Sequence, residues 1–163
     1  MQAALRVVEA QNLRYELAPA ASGTVLRCHF PLAKRHRVLI LEDNPSASAL
    51  YERYLANSEW EPILAPHPSL VGNLALAKQA QAIILDIMMP ETDGWSVLQA
   101  LKLDQRSRRI PVIICSVVND PELGLALGAT RYLTKPVSRP ELLEALGQVL
   151  QEHRLASDES DTP

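Results

Sequence analysis

Short apolar runs alternate with stretches of helical period from residue 37 onward. Candidate strands lie at residues 37–41, 61–65, 82–86, 112–116 and 131–134. Three of these five runs are almost wholly apolar, which is typical of central strands covered by helices on both faces. The alternation predicts repeated βα units and a doubly wound, five-stranded parallel sheet of the α/β class.

The predicted helices are marked by their ends as well as by their periods. The first, at residues 44–57, offers Asn44 as an N-cap and Pro45 at the first helical position. The last, at 138–153, begins with Ser138 and Glu141 at the spacing of a capping box. The predicted apolar faces of these two helices are Ala47, Leu50, Tyr54 and Leu55, and Leu142, Leu146, Val149 and Leu150. A third helix, at 93–103, has Trp95, Leu98 and Leu101 at helical spacing, and two weaker helices are predicted at 68–78 and 120–128.

The two ends of the chain differ from this pattern. Residues 1–36 predict a short helix followed by a hairpin, with strands at 13–18 and 24–32. Such a hairpin is hardly stable by itself. The tail at 153–163 is acidic, small and polar, and is predicted to be disordered.

Composition narrows the classes of function. A net charge of −3 over 163 residues argues against a nucleic-acid-binding surface. Charged residues interrupt the first twenty positions, and no apolar run is long enough to cross or anchor in a membrane. Cys28 and Cys115 are the only cysteines, and Cys115 lies in an apolar run where a reduced, buried thiol is expected. We therefore expect a cytoplasmic protein without membrane contact.

Acidic residues follow two of the predicted strands. Glu42 and Asp43 come directly after the first strand, and Asp86 closes the third. Because ligand sites of such sheets lie at the carboxyl ends of the strands, we expect these carboxylates to meet there. Three close carboxylates repel one another unless a cation lies between them, and Mg²⁺ prefers such oxygen ligands. This edge of the sheet is a candidate magnesium site.

Ser116 ends the fourth strand and Lys135 follows the fifth. A hydroxyl, an ammonium group and a metal ion around Asp86 would stabilise a phosphoryl group on its carboxylate, which favours Asp86 as a nucleophile. Taken singly, each of these residues has an ordinary interpretation as a helix cap, a turn residue or a surface charge. Their joint position at the strand ends carries the prediction.

The residues resemble the receiver domain of two-component response regulators over positions 37–152. The resemblance implies a flavodoxin-like (βα)5 fold with Asp86 as the phosphoacceptor and Glu42 and Asp43 as the metal-binding acids. The main-chain carbonyl of Met88 would complete the protein's ligands to Mg²⁺. The stretches that carry the resemblance are "LILEDNP", "IILDIMMPETDGW", "PVIICS" and "YLTKPVS".

The same resemblance implies roles for residues near the last two strands. Ser116 corresponds to the hydroxyl residue that contacts the phosphoryl group, Lys135 to the family's lysine, and Tyr132 to its aromatic switch residue. Tyr132 also has a simpler interpretation, as a ring that packs and exposes its hydroxyl. Pro136 would follow a cis peptide bond. The implied partner is a histidine kinase or a histidine phosphotransfer protein.

The chain departs from the family pattern in three ways. Only 19 positions separate Ser116 from Lys135, so the fourth helix is expected to be about one turn short. Val117 stands where the family usually has Ala or Gly. Met88 and Val118 are apolar where polar residues are common, so neither orients an attacking water. We expect slow hydrolysis of the phosphorylated form.

Residues 22–33, "SGTVLRCHFPLA", resemble the last hairpin of the ATP-binding domain of histidine kinases. On that interpretation the chain is the C-terminal part of a hybrid sensor kinase, with residues 1–36 as the end of its catalytic part. The alternative is an unrelated hairpin that packs on the receiver or on a partner. The glycine boxes that bind ATP are absent from the sequence, so no kinase activity is expected.

Two further functions compete with the phosphoacceptor interpretation. A phosphohydrolase of the haloacid-dehalogenase type also uses an aspartate nucleophile, but it needs a second Asp at position 88, where this chain has Met88. A pseudo-receiver would bind a partner without phosphorylation, although the set of acids, hydroxyl and lysine is complete. We therefore expect a protein that is not an enzyme. It should signal through protein contacts without a DNA-binding domain, since only about ten residues follow the last predicted helix.

Overall fold

The computed structural model describes residues 14–20, 23–29, 35–90 and 92–158. The chain divides into two compact units, Met1–Lys34 and Arg35–Pro163. The first unit contains two antiparallel strands, β1 (Arg14–Ala20) and β2 (Gly23–His29). The hairpin is therefore present as predicted. The helix expected before it and residues 30–32 of its second strand lie outside the described residues.

The second unit alternates strands and helices. Its strands are hydrogen-bonded in the order β4-β3-β5-β6-β7, and every neighbouring pair is parallel. This arrangement confirms the predicted doubly wound α/β sheet with a flavodoxin-like order. The elements are β3 (His36–Leu41), α1 (Pro45–Leu55), β4 (Trp60–Leu64), a 3₁₀ turn (Pro68–Leu70), α2 (Val71–Ala77), β5 (Ala82–Leu85), α3 (Gly94–Leu103), β6 (Val112–Ser116), α4 (Pro121–Ala126), β7 (Arg131–Thr134) and α5 (Arg139–Asp158).

The apolar core of this unit lies on both faces of the sheet. Alternate residues of β3 point to opposite faces, so Val38 and Ile40 join one cluster while Leu39 and Leu41 join the other. All four residues of β5 are buried. The continuous apolar runs in the sequence therefore correspond to strands covered on both sides, as expected for a parallel sheet.

The predicted helix ends are formed by the predicted residues. The Asn44 side chain accepts hydrogen bonds from the backbone N–H groups of Ser46 and Ala47, at 2.9 and 3.3 Å. The backbone N–H of Ser138 donates to Glu141 Oε2 at 2.8 Å, and the N–H of Glu141 donates back to Ser138 Oγ at 3.5 Å. These caps fix where the first and last helices of the unit begin.

Two details of the predicted helices are wrong. Of the predicted apolar face of α1, Leu55 is buried and Tyr54 packs against the core, but the other buried residues are Ser48 and Tyr51 instead of Ala47 and Leu50. The last helix runs to Asp158, six residues into the predicted disordered tail. Once a helix has formed, each added residue gains a hydrogen bond without a new nucleation cost, so a polar segment can continue it. Among the helices that the structure describes, none has the length and apolar character needed to span a bilayer.

Candidate functional site

Three carboxylates meet at the carboxyl end of the sheet. Glu42 and Asp43 directly follow β3, and the backbone N–H of Asp86 donates to the carbonyl of Leu41 at 2.9 Å. This bond places Asp86 beside the end of β3. One carboxylate oxygen from each acid lies within 4.8 Å of the others. Neighbouring parallel strands thus bring together acids that are more than forty positions apart in sequence.

Lys135 holds two of these acids together. Its Nζ donates to Glu42 Oε2 and to Asp86 Oδ2, each at 2.7 Å. The side chains of Glu42 and Asp86 are only 1% and 5% exposed, and that of Lys135 is 18% exposed. Because low solvent exposure strengthens charge interactions, the lysine largely offsets the repulsion between the two carboxylates.

Burial and the ion pairs shift the pKa values of this cluster in a consistent way. Burial raises the pKa of Glu42, and the hydrogen bond from Lys135 only partly opposes that rise. Burial by itself would lower the pKa of Lys135, but its hydrogen bonds to Asp86 and Glu42 outweigh it, so its pKa lies above the usual value. The lysine therefore remains charged at neutral pH.

Backbone groups fix the remaining oxygens of the two buried acids. The N–H of Met88 donates to Asp86 Oδ1 at 3.0 Å, and the N–H of Asn44 donates to Glu42 Oε1 at 3.3 Å. Ser48 Oγ donates to the main-chain carbonyl of Glu42 at 3.2 Å. Asp43, in contrast, is exposed. Asn44 and Ser48 were not predicted as part of the site. The sequence did offer one signal, because Asn44 is a predicted helix cap that directly follows the acid pair.

Ser116 and Tyr132 each make a hydrogen bond to Val118. Ser116 is fully buried, and its Oγ accepts a hydrogen bond from the N–H of Val118 at 3.3 Å. The hydroxyl of Tyr132 donates to the carbonyl of Val118. The carbonyl of Ser116 accepts from the N–H of Lys135 at 2.8 Å, and the Lys135–Pro136 bond is cis, as the resemblance to receiver domains implied.

The residues that depart from the family pattern lie at the mouth of the site. Met88 and Val117 follow the neighbouring strands β5 and β6, and they are 57% and 62% exposed. Val118 is half-buried. The α4 helix has only six residues, which agrees with the short spacing between Ser116 and Lys135. Apolar surface thus flanks the acidic cluster on the side of β6.

A glycine brings α3 against the backbone that follows β5. A Cβ atom on Gly94 would lie 2.5 Å from Ile87 Cα and 2.6 Å from the carbonyl oxygen of Asp86. The N–H of Gly94 donates to the carbonyl of Ile87 at 3.2 Å, and Asp93 caps α3 by accepting from the N–H of Trp95. This close approach orients the loop that carries Asp86.

Beneath the site lies a buried polar contact that was not predicted. Tyr51 of α1 is 2% exposed and shares a core cluster with Cys115, which is fully buried one residue before Ser116. Burial raises the pKa of the Cys115 thiol to about 12. Burial also raises the pKa of Tyr51 far above its usual value. Both groups are therefore neutral at physiological pH.

A protein-family model and several curated proteins match this chain. The family model described as "Response regulator receiver domain" matches residues 38–147. The DNA-binding dual master transcriptional regulator RpaA of Synechocystis is 33% identical over 71% of this chain and 49% of its own length. The transcriptional regulatory protein HprR of Escherichia coli K12 is 35% identical over 72% of this chain and 52% of its own length. The chain spans about half the length of these curated relatives.

Solved structures of receiver domains are also similar to this chain. The receiver domain of a sensor histidine kinase from Pseudomonas aeruginosa, whose structure holds a magnesium ion in the active-site cleft, is 27% identical with a TM-score of 0.63. It matches 71% of this chain and 98% of its own length. The chemotaxis protein CheY4 of Vibrio cholerae is 26% identical, with a TM-score of 0.64 and the same coverage. This chain therefore belongs to the response regulator receiver domain family, the phosphoacceptor domains of two-component signalling.

Proposed function

We propose that Asp86 accepts a phosphoryl group from the phosphohistidine of a histidine kinase or a histidine phosphotransfer protein. The observation that carries this proposal is the buried Asp86 carboxylate, which is bound at 2.7 Å by Lys135 beside a second buried acid. An Asp86 oxygen forms the bond to phosphorus while the bond from phosphorus to the imidazole nitrogen breaks. The released imidazole keeps the electron pair and takes up a proton.

The donor set fits a magnesium ion. Glu42, Asp43 and Asp86 each offer one oxygen within 4.8 Å of the others, and hard carboxylate oxygens are the ligands that Mg²⁺ prefers. We propose that these three residues and the main-chain carbonyl of Met88 hold the ion. Bound there, Mg²⁺ would neutralise charge on the transferred phosphoryl oxygens.

The side chains of Lys135 and Ser116 have complementary roles in this proposal. Lys135 donates a hydrogen bond to Asp86 in the absence of a phosphoryl group and binds a phosphoryl oxygen once the group is attached. Ser116 donates a hydrogen bond from its hydroxyl to a second phosphoryl oxygen. Both residues act by stabilising charge, so neither needs to transfer a proton.

The output surface of this proposal comprises α4, β7 and α5. Tyr132 on β7 would couple it to the site, because its hydroxyl is bound to the residue that binds Ser116. A Tyr132→Ala variant should keep phosphorylation but lose phosphorylation-dependent binding of a partner. Equal partner binding by the variant and the wild type would leave Tyr132 as a packing residue only.

Slow hydrolysis of the phosphorylated form is a further part of the proposal. Met88 and Val118 bring no polar group to the mouth of the site, so an attacking water is not oriented there. Met88→Asn and Val118→Glu should each speed loss of the phosphoryl group by roughly tenfold, which is less than the roughly 10²–10⁴-fold of a fully positioned general base. Leu103→Asn is the control, because Leu103 is 83% exposed at the end of α3. Unchanged hydrolysis in both variants would contradict the proposal.

Residues 1–36 are proposed to be an appendage of the receiver, and both interpretations of their origin remain open. Contacts divide the chain between Lys34 and Arg35. Limited trypsin digestion should therefore cleave near this point and leave a stable core beginning near residue 35. Uniform degradation, or protection of Lys34, would contradict an appendage.

We also propose that the chain acts through protein contacts without enzymatic turnover or nucleic-acid binding. Its net charge is −3. Relatives named as a protein-glutamate methylesterase and a probable cyclic di-GMP phosphodiesterase match it over only 31% and 27% of their lengths. Gel-shift assays with duplex DNA at low salt test the proposed lack of nucleic-acid binding, and no shifted band is expected.

Phosphorylation with acetyl phosphate and Mg²⁺ tests the central proposal. Intact-mass spectrometry should detect one added phosphoryl group on the wild type and on Asp104→Asn, whose substituted residue lies at the end of α3. Asp86→Asn should remain unmodified. Modification of Asp86→Asn would refute the assignment, and sustained release of phosphate would favour a hydrolase.

A further inference from the structure

The ring of Tyr132 occupies a space that a glycine leaves open. Gly124 is buried in α4, and a Cβ atom on it would lie 2.7 Å from Tyr132 Cδ2 and 2.9 Å from Ile114 Cδ1. The methyl group of Ile114 ends a flexible side chain and can rotate away. A ring carbon cannot move unless the whole ring moves. Any side chain at position 124 therefore displaces Tyr132.

The position of the ring matters because of the hydrogen bonds of Val118. Its carbonyl accepts from the Tyr132 hydroxyl, while its N–H donates to Ser116 Oγ at 3.3 Å. The two peptide groups of one residue therefore connect the ring to Ser116. With its oxygen held as an acceptor by Val118, Ser116 keeps its own proton to donate to another group.

We propose that Gly124 is a positioning residue for Ser116, acting through the Tyr132 ring and the backbone of Val118. This inference rests on the proposed function, in which Ser116 donates a hydrogen bond to the phosphoryl group. A ring packed against Gly124 fixes Val118, and Val118 fixes the oxygen of Ser116. Displacement of the ring frees Val118 and weakens the binding of a phosphoryl group or its mimic.

A pair of glycine variants tests this inference. Gly124→Ala introduces the clash, whereas a Cβ atom on Gly147 in α5 would contact nothing within 4 Å. Both changes favour a helix equally, so Gly147→Ala is a matched control. The full chain is titrated with beryllofluoride and Mg²⁺ and followed by ¹H–¹⁵N NMR. Gly124→Ala should bind at least about fivefold more weakly than wild type, as expected for coupled sites, and Gly147→Ala should bind like wild type.

The route through Tyr132 is tested in a second background. In Tyr132→Ala the clash is absent, so adding Gly124→Ala should cause no further loss of beryllofluoride affinity. Equal losses from Gly124→Ala in both backgrounds would overturn the role of Tyr132. Wild-type affinity in Gly124→Ala would overturn the inference as a whole. If Gly124→Ala by itself does not fold, the variant that combines it with Tyr132→Ala should fold. An unfolded double variant would likewise overturn the inference.

A spectroscopic test separates this inference from the proposed function. The chain has four tyrosines, which can be labelled as 3-fluorotyrosine, and the Tyr132 resonance can be assigned with Tyr132→Phe. Without any ligand, Gly124→Ala should shift this resonance and Gly147→Ala should not. An unshifted resonance would refute the displacement of the ring. Failure of the wild type to bind beryllofluoride would instead refute the proposed function.

Discussion

Replacing Lys135 with methionine removes the only positive charge bound to Glu42 and Asp86 among the ion pairs of the described residues. Methionine keeps most of the length of the side chain, so the change is mainly one of charge. Oxygens of the two acids lie within 4.8 Å of each other. At an effective dielectric constant of about 20, two unit charges at that distance repel by about 3.5 kcal/mol.

This repulsion gives the expected loss of stability. Removing one partner of a buried ion pair costs about 3–5 kcal/mol, which agrees with the repulsion. We therefore expect Lys135→Met to lower the free energy of unfolding by about 3 kcal/mol in EDTA, near neutral pH. Urea denaturation followed by circular dichroism measures it. Lys78→Met, at an exposed position after α2, is the control and should change stability little.

The loss should depend on pH in a defined direction. Burial already raises the pKa of Glu42 above its ordinary value of 4.5, and removal of Lys135 raises it further. A carboxyl group with a raised folded-state pKa destabilises the protein once it ionises, so the variant loses stability as the pH rises through that pKa. Below the unfolded-state value the penalty disappears. The difference from wild type should therefore be larger at pH 8 than at pH 5, to be compared at about these two values.

Magnesium should partly restore the variant. An ion bound by the same carboxylates replaces the missing positive charge, and binding to the folded state raises its stability. Mg²⁺ should therefore stabilise Lys135→Met more than it stabilises wild type, in which the lysine competes for the same oxygens. Equal stability of variant and wild type in EDTA would refute the electrostatic reasoning, and an equal response to Mg²⁺ would refute the shared site.

Three other predictions concern the surroundings of the site. Gly94→Ala places a methyl group against the backbone of Asp86 and Ile87, which cannot shift without strain. We expect the free energy of unfolding, measured by urea denaturation, to fall by at least about 2 kcal/mol, and phosphorylation by acetyl phosphate to slow. Wild-type stability and phosphorylation rate would contradict the close approach. In a Cys28→Ser background, Cys115 should react with a disulfide reagent only through opening of the fold, because burial raises its pKa to about 12; rapid reaction without denaturant would show that the thiol is accessible. Asn44→Ala removes the cap of α1 and should cost about 1 kcal/mol by the same urea assay, and an unchanged midpoint would mean that water replaces the cap.

The strands, most of the helix ends and the convergence of the three acids could be predicted because they depend on local patterns. Apolar runs identify buried strands, caps identify helix starts, and parallel strands bring their carboxyl ends to one edge. The short length of α4 could also be predicted, because it follows from the spacing between Ser116 and Lys135. The extension of α5 to Asp158 could not be predicted, because the composition of a segment does not reveal whether a preceding helix continues into it.

Other features depend on contacts between distant residues and could not be predicted. The sequence predicts only a very short helix around Gly124, and packing alone shows that the Tyr132 ring fills the space of its missing side chain. Tyr51 and Cys115 are 64 positions apart, and only the docking of α1 on the sheet brings them into one cluster beneath the site. By itself, then, the sequence determined which residues reach the edge of the sheet, because strand period and topology follow from local chemistry. The tertiary structure decided which of them bond to one another, because distances, burial and the pKa values that depend on them exist only once the elements are packed.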